Sequence, residues 1–132
     1  MQGGRDALGY PSGFRILRPP AVSVLLSLTT CPDAACAERI ADALVGERLA
    51  ACVNILPGVR SVYRWQDRVE RGVEVLLLAK TTPERADKLQ QRIVALHPYE
   101  LPEVILVETA GGLAAYLGWV AAETAPARDP GG

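Results

Sequence analysis

The chain has 132 residues, of which 49% are hydrophobic and 22% are charged, and this length and composition suit one globular domain. A formal net charge of -1 and an isoelectric point near 5.8 disfavour binding to nucleic acid or to anionic lipid, because both need a basic surface. Three cysteines do not fit a closed disulfide framework, and we find no signal-peptide or membrane-spanning pattern, so we expect a reducing, cytoplasmic location.

Both ends of the chain lack a regular hydrophobic period. Residues 1–20 and 124–132 mix glycine, proline and isolated apolar side chains, and we expect both segments to be disordered tails. The periods between them predict one domain over residues 21–123. Its first segment, 22–30, is β-branched and aliphatic and therefore predicts a buried strand.

The next segment, 32–50, changes to a helical period. Apolar residues recur at i, i+3, i+4 and i+7 and are typical of one buried helix face: Ala37, Ile40, Ala41 and Leu44. Two strands follow, over 51–65 and 73–82, and a polar turn near residues 66–68 joins them into a predicted hairpin. Pro57 and Gly58 interrupt the first of these strands, so we expect a bend or bulge there.

A second helix is predicted over 82–96. Thr82 suits its N-cap, Pro83 its first position and Glu84 the positive end of its dipole. Its buried stripe is predicted to contain Ala86, Leu89, Ile93 and Leu96.

A fourth strand over 104–110 and a last helix over 113–123 complete the predicted elements. The apolar face of that helix is predicted to contain Leu113, Tyr116, Leu117 and Val120. The order of elements predicts the ferredoxin-like βαββαβ fold plus a C-terminal helix, an α+β fold with an antiparallel sheet, helices on one face and a long protruding hairpin. The bare sheet face and the long hairpin strands need a cover, so we expect self-association.

Four segments in this order resemble the CutA family of divalent-cation tolerance proteins. They are "ERLAACVNILPGVRSVYRW", "EVLLLAKTT", "HPYELPEV" and "YLGWV", and the likeness runs from about residue 22 to residue 122. The resemblance implies a ferredoxin-like subunit in a homotrimer built like the PII signalling proteins, with hairpin strands paired across subunits. It also implies a role in tolerance of copper and other divalent cations and no defined enzymatic reaction. We can name no nucleophile and base pair, so we do not expect an enzyme.

The segment "LHPYELPEV" holds the only histidine of the chain. Pro98 disfavours the helical conformation for His97, so the second helix should end there, with the imidazole in a structural role at the helix C-terminus. Alternatively, His97, Cys31 and Glu100 are ligands of copper or another divalent cation.

Two positions reduce the expected strength of this cation site. Family members thought to bind copper are similar to one another at two positions. They have a cysteine late in the first strand and a second histidine just before the "HPY" corner. Thr29 and Leu96 stand at those positions here. We therefore expect weak cation binding, or a site shared between subunits, rather than tight binding by one subunit.

The alternative function is a PII-like trimeric sensor that binds a small metabolite or anion in the clefts between subunits. The predicted ligand pocket comprises Cys52, Tyr63, Trp65, Glu74, Lys80, His97, Tyr99 and Glu100. Each of these also has a purely structural interpretation: a buried small thiol, interface aromatics and surface charges. A third hypothesis, a trimeric scaffold for a partner protein, has no specific feature in its favour.

Overall fold

The computed structural model describes residues 22–126, so the predicted tail 1–20 and most of the second tail lie outside the described residues. The described elements follow the predicted order. They are β1 (Leu25–Cys31), α1 (Ala34–Gly46), β2 (Cys52–Trp65), β3 (Arg68–Thr81), α2 (Pro83–Leu96), β4 (Ile105–Glu108) and α3 (Ala114–Thr124). Thr124, predicted to begin the second tail, is instead the last helical residue, and its buried hydroxyl donates to the carbonyl oxygen of Val120.

The four strands form one sheet in the order β2-β3-β1-β4, and every neighbouring pair is antiparallel. This order confirms the ferredoxin-like α+β fold. Alternate residues of β1 and β3 point toward α1 and α2, where they form the core with the apolar stripes of both helices. The buried stripe of α1 contains the four residues predicted from its period, together with Cys36.

Local sequence explains where the two main helices begin and end. Asp33 is the N-cap of α1, and its carboxylate accepts a hydrogen bond of 2.8 Å from the backbone N–H of Cys36. Thr82 is the N-cap of α2 as predicted, but its side chain makes no capping hydrogen bond. The helix α2 ends at Leu96, and His97 is extended, as the proline after it predicts.

The hairpin of β2 and β3 has two strands of 14 residues each, well beyond the typical length of about 5–6. Gln66 and Asp67 form its turn with φ angles of 49° and 64°, and positive φ at both positions is the requirement of a type I′ turn. The pairing register shifts between Leu56 and Val59, and Gly58 has a φ of 75°. The bulge predicted at Pro57 and Gly58 is thus confirmed.

The face of the sheet turned away from α1 and α2 is largely apolar. Cross-strand partners share a face, and the register places Leu78, Leu28 and Ile105 side by side on β3, β1 and β4. Leu26 pairs with Val107 at a second level, and Leu56 pairs with Leu76 at a third. We call this surface the open face; its apolar members are Leu26, Leu28, Leu56, Leu76, Leu78, Ile105 and Val107. Ile105 remains 51% exposed and Leu56 41% exposed in the single chain.

The helix α3 buries only half of its predicted face. Leu117 and Val120 pack with Val24 in a small second cluster, whereas Leu113 is 75% exposed. Leu113 precedes the first helical residue as N-cap, so it does not follow the helical period. Tyr116 is also exposed, and its ring packs against that of Trp119 with centroids 5.6 Å apart.

Among residues 22–126, no helix combines the length and apolar character that a membrane crossing requires.

Candidate functional site

The corner after α2 is organised by the imidazole of His97. Its Nε2 atom lies 2.7 Å from the carbonyl oxygen of Thr30, and its Nδ1 atom accepts a hydrogen bond of 3.1 Å from the backbone N–H of Tyr99. A carbonyl oxygen only accepts, so Nε2 carries the proton and the ring is the neutral tautomer. Both ring nitrogens are therefore used within the chain, and the side chain is buried.

Tyr99 joins this corner to the middle of β3. Its hydroxyl donates a hydrogen bond of 2.8 Å to Oε2 of Glu74, and its ring stands 4.6 Å from that of His97. Burial, followed by the hydrogen bond to Glu74 and the charge of that carboxylate, raises the pKa of Tyr99 above its usual range, with smaller effects from Tyr63 and Cys31. The phenol is consequently a neutral donor at physiological pH.

His97, Cys31 and Glu100 are not assembled as a cation site in one subunit. The part of the chain that the structure describes contains no group of three or more His, Cys, Asp or Glu side chains placed to hold a metal ion. The reasons are local: the nitrogens of His97 are committed, Cys31 is fully buried beneath α1, and Glu100 is exposed.

Cys31 instead lies in the core together with Cys36, a residue that no sequence prediction assigned to any site. The two residues are 0% and 3% exposed and belong to the same hydrophobic cluster. Burial, with additional effects of Cys36, Asp33 and Glu74, raises the pKa of Cys31 from 9.0 to about 12. A signal was present in the sequence, because Cys36 lies four residues before Ile40 and so belongs to the buried stripe of α1.

A second polar group lies on the open face. Lys80 and Cys52 are direct cross-strand partners, and Nζ of Lys80 lies 3.8 Å from Sγ of Cys52. The same ammonium donates a hydrogen bond to Oδ1 of Asn54, two residues further along β2. This places a cation, an amide and a thiol together among the apolar side chains of the open face.

The predicted ligand pocket is divided in the single chain. Trp65 pairs with Arg68 beside the hairpin turn, whereas Lys80 lies 12 residues further along β3, roughly 40 Å at about 3.3 Å per residue. Tyr63 is exposed on the same hairpin. The pocket residues therefore fall into three groups: the corner with Glu74, His97, Tyr99 and Glu100, the open face with Cys52 and Lys80, and the hairpin with Tyr63 and Trp65. Of the two hairpin residues, Tyr63 is close enough to the corner to affect the pKa of Tyr99.

Two open concavities lie elsewhere on the described surface. One of about 430 Å³ is on the hairpin, lined by Arg60, Ser61, Val62, Arg71, Gly72 and Val73. The other, of about 390 Å³, lies beside α2 and is lined by Glu47, Leu49, Arg85, Lys88, Gln91, Arg92 and Ala95. In the second, Nη2 of Arg92 is 2.9 Å from the Glu47 carboxylate, so an anion would compete with an existing ion pair. Neither concavity contains a predicted ligand residue.

Comparisons with known proteins give a consistent result. The family model described as "CutA1 divalent ion tolerance protein" matches residues 25–123. A Thermus thermophilus protein named "Divalent-cation tolerance protein CutA" is 50% identical over 97 residues, which cover 74% of this chain and 94% of the relative.

The structural comparison agrees with the sequence comparison. A solved Thermus thermophilus structure titled as a divalent cation tolerance protein (Cut A1) superposes with a TM-score of 0.76 at 48% identity, covering 77% of this chain and 99% of that one. A rice protein named "Protein CutA 1, chloroplastic" is 39% identical over 99 residues, which cover 75% of this chain and 56% of the relative.

Proposed function

This chain belongs to the CutA1 divalent ion tolerance family, and we propose that it serves divalent-cation tolerance as a homotrimer whose subunits cover one another's open faces. The open face is the observation that carries this proposal, because apolar side chains extend across all four strands while Ile105 and Val107 remain 51% and 42% exposed. Monomeric soluble proteins rarely leave an extended apolar surface of this kind in water. Covering it is favourable by about 25 cal/mol per Å² of apolar area.

The hairpin gives a second reason for assembly. Its outer half extends beyond the region where β3 pairs with β1, and no residue of that half is buried in one chain. Val62, Val69 and Val73 are each more than half exposed there. Hairpin strands of this length are stabilised when another copy packs against them, which agrees with the pairing across subunits that the family resemblance implies.

We further propose that copper or another divalent cation binds weakly at a boundary between subunits. The described part of one subunit has no set of three ligands, so a site of ordinary coordination number needs side chains from more than one copy. Glu100, exposed in the corner, and Glu74, the partner of Tyr99, are the carboxylates we assign to it. In this arrangement His97 positions the corner rather than binding the cation.

Calorimetric titration of Cu²⁺ into assembled and unassembled protein tests the cation proposal. Leu78→Lys places a charge at the centre of the open face and should prevent assembly, while Val94→Lys makes the same change on α2, where Val94 is 57% exposed. We expect heat of binding from wild type and Val94→Lys and none from Leu78→Lys. Equal heat from all three proteins would place the cation within one subunit and contradict the proposal.

A small carboxylate or other anionic metabolite is the second candidate ligand. The observation in its favour is Lys80, an ammonium that the open face holds beside Asn54 and Cys52 among apolar neighbours. Thermal-shift screening of nucleotides and carboxylates against wild type and Lys80→Met would test it. We expect a stabilising ligand to lose its effect in Lys80→Met, and a screen with no stabilising compound would count against a sensor function.

We propose a cytoplasmic location for this chain. Its support is the three cysteines, all free thiols, which a reducing compartment preserves. The chloroplastic name of the rice relative indicates that compartments differ among similar proteins, so this proposal depends on the thiols of this chain alone.

A further inference from the structure

The outer half of the hairpin carries its positive and negative charges on separate faces. Cross-strand partners share a face, and the register aligns arginine with valine on one of them. We call this surface the arginine face; its pairs are Arg60 with Val73, Val62 with Arg71 and Arg64 with Val69. Glu70 and Glu74 lie on the opposite face, because alternate residues of β3 point to opposite sides. The arginine face therefore has three positive charges and no carboxylate of its own.

The three arginines are close together and lack an acidic partner. Arg71 is the diagonal cross-strand neighbour of both Arg60 and Arg64, which places the Cβ atoms about 7–8 Å apart. Within residues 22–126 the ion pair that forms is between Arg92 and Glu47, far from this face, so no carboxylate of that region neutralises the cluster. Arginine does not lose its proton in proteins, so the repulsion is permanent and an anion would relieve it.

The concavity of about 430 Å³ on the hairpin opens on this face. Its size is within the range of small-molecule sites. Its lining consists of two neighbouring pairs of the arginine face, Arg60 with Val73 and Val62 with Arg71, and the pair between them, Ser61 with Gly72. The side chains that flank Ser61 and Gly72 on the opposite face are absent from the lining. Ser61 and Gly72 therefore contribute the floor, and two guanidinium groups stand at opposite corners.

We propose that this concavity binds the phosphate chain of a small oligophosphate, with Arg60 and Arg71 as the binding residues and Arg64 as a third nearby charge. No bond is made or broken, and the ligand is held by charge and hydrogen bonds alone.

The site is accessible in the assembled protein proposed above. Val73 shares a side of β3 with Val75, which belongs to the core cluster formed with α1 and α2. The arginine face thus continues the helix side of the sheet, whereas Lys80 and the open face lie on the other side. Copies that cover the open face leave the arginine face free. Pairing of hairpin strands across subunits also leaves it free, because strands pair in the plane of the sheet.

The side chains select the class of ligand. A guanidinium group presents its N–H donors as a planar fork that matches phosphate or carboxylate oxygens two at a time. Three such charges in one place favour an anion with several negative charges over a single carboxylate. Tyr63 lies on the opposite face, so the arginine face offers no aromatic ring on which a nucleobase could stack. The phosphate chain is therefore the group that is recognised.

Calorimetric titration of tripolyphosphate into the full chain, at low ionic strength and without divalent cations, tests the proposal. Wild type should bind, and Arg60→Gln and Arg71→Gln should each bind about tenfold more weakly, because each loses charge-assisted hydrogen bonds. Arg71→Lys keeps the charge but not the fork, so its affinity should be intermediate. No heat from wild type, or wild-type affinity in both glutamine variants, would overturn the proposal.

Two matched variants separate the concavity from general attraction. Arg68→Gln removes the same charge from the same hairpin but from the opposite face, since Arg68 pairs with Trp65. Lys80→Met removes a cation from the open face. Both should keep wild-type affinity for tripolyphosphate. A loss in Arg68→Gln equal to that in Arg71→Gln would assign binding to the net charge of the hairpin, and a loss in Lys80→Met would place the anion on the open face. Either result contradicts the proposal.

Competing anions and the solution mass complete the test. ATP should bind about as tightly as tripolyphosphate, and citrate more weakly because it carries fewer charges. Equal affinity for citrate, or binding of ATP without binding of tripolyphosphate, would contradict recognition of a phosphate chain. Light scattering should give the same mass for wild type, Arg60→Gln and Arg71→Gln. A changed mass would make the arginine face a contact between copies and overturn the proposal.

Discussion

The Nε2 atom of His97 lies 2.7 Å from the carbonyl oxygen of Thr30, and this contact holds the end of α2 against β1. The other ring nitrogen accepts from the backbone N–H of Tyr99, so the same side chain also fixes the turn that follows. The sequence left a structural and a ligand role open for this histidine. With both nitrogens committed to the chain, the geometry favours the structural role.

Replacing His97 should cost stability rather than cation binding. His97→Ala removes two hydrogen bonds and a buried ring, so we expect the free energy of unfolding to fall by about 2–3 kcal/mol. His97→Gln, which keeps an N–H donor for Thr30, should recover part of that loss. Urea unfolding at fixed chain concentration measures both. If His97→Ala instead left the free energy of unfolding unchanged and abolished the heat of Cu²⁺ binding, His97 would be a ligand of the cation.

The hydrogen bond between Tyr99 and Glu74 should be separately measurable. Tyr99→Phe removes only the hydroxyl that donates at 2.8 Å, and we expect it to lower the free energy of unfolding by about 1 kcal/mol. Glu74→Gln keeps an acceptor, so it should cost less. A double-mutant cycle with both changes should give a coupling of about 0.5–1 kcal/mol, and a coupling of zero would show that the contact does not stabilise the corner.

Two glycine substitutions should have opposite signs. Gly58→Ala places a side chain at a φ of 75° in the bulge of β2 and should destabilise by about 1 kcal/mol, because L residues rarely adopt that conformation. Gly46→Ala, at the end of α1 with open space around the added methyl group, should stabilise by about 0.5–1 kcal/mol. Chemical unfolding measures the change in unfolding free energy of each variant. Changes of the same sign in both variants would contradict the assignment of the bulge.

These contrasts show which features follow from local sequence. The bulge at Gly58 and the helix end at His97 were predictable, because glycine and proline act on the backbone where they stand. The buried stripes of α1 and α2 were predictable, apart from the only partly buried Leu96, because a period of 3.6 residues needs no tertiary information. The exposure of Tyr116 was not, since neighbours in space, rather than the period, decide which side of α3 is covered.

The candidate site was predicted less well, for geometric reasons. Trp65 and Lys80 appear in neighbouring motifs, yet an extended hairpin separates them along the whole length of β3. Cys31 was predicted to bind a cation together with His97, whereas its side chain is fully buried in the core cluster that also contains Cys36. The spacing of Cys31 and Cys36 matches no common ligand motif. Only the alternation of side chains along β1, combined with the buried stripe of α1, would have predicted that both residues lie in the core.

The buried thiol should make stability depend on alkaline pH. The pKa of Cys31 rises from 9.0 to about 12 on folding, chiefly through burial, so the folded state keeps the proton more strongly than the unfolded state. Its contribution is complete below pH 9 and is lost as the pH rises toward 12. Cys31→Ser should therefore show a smaller fall in unfolding free energy over that interval than wild type, by urea titrations at several pH values. If the unfolding free energies of wild type and Cys31→Ser fell in parallel over that interval, the Cys31 thiol would not be the cause of the pH dependence.

Other copies of the chain, if they cover the open face as proposed, set the mass of the protein in solution. Light scattering over a dilution series should give three times the 14.1 kDa of one chain for wild type and for Val94→Lys. Leu78→Lys, altered at the centre of the open face, should give the mass of one chain while keeping its secondary structure. A wild-type mass of one chain at every concentration, or a trimer undisturbed by Leu78→Lys, would show that other copies do not cover the open face.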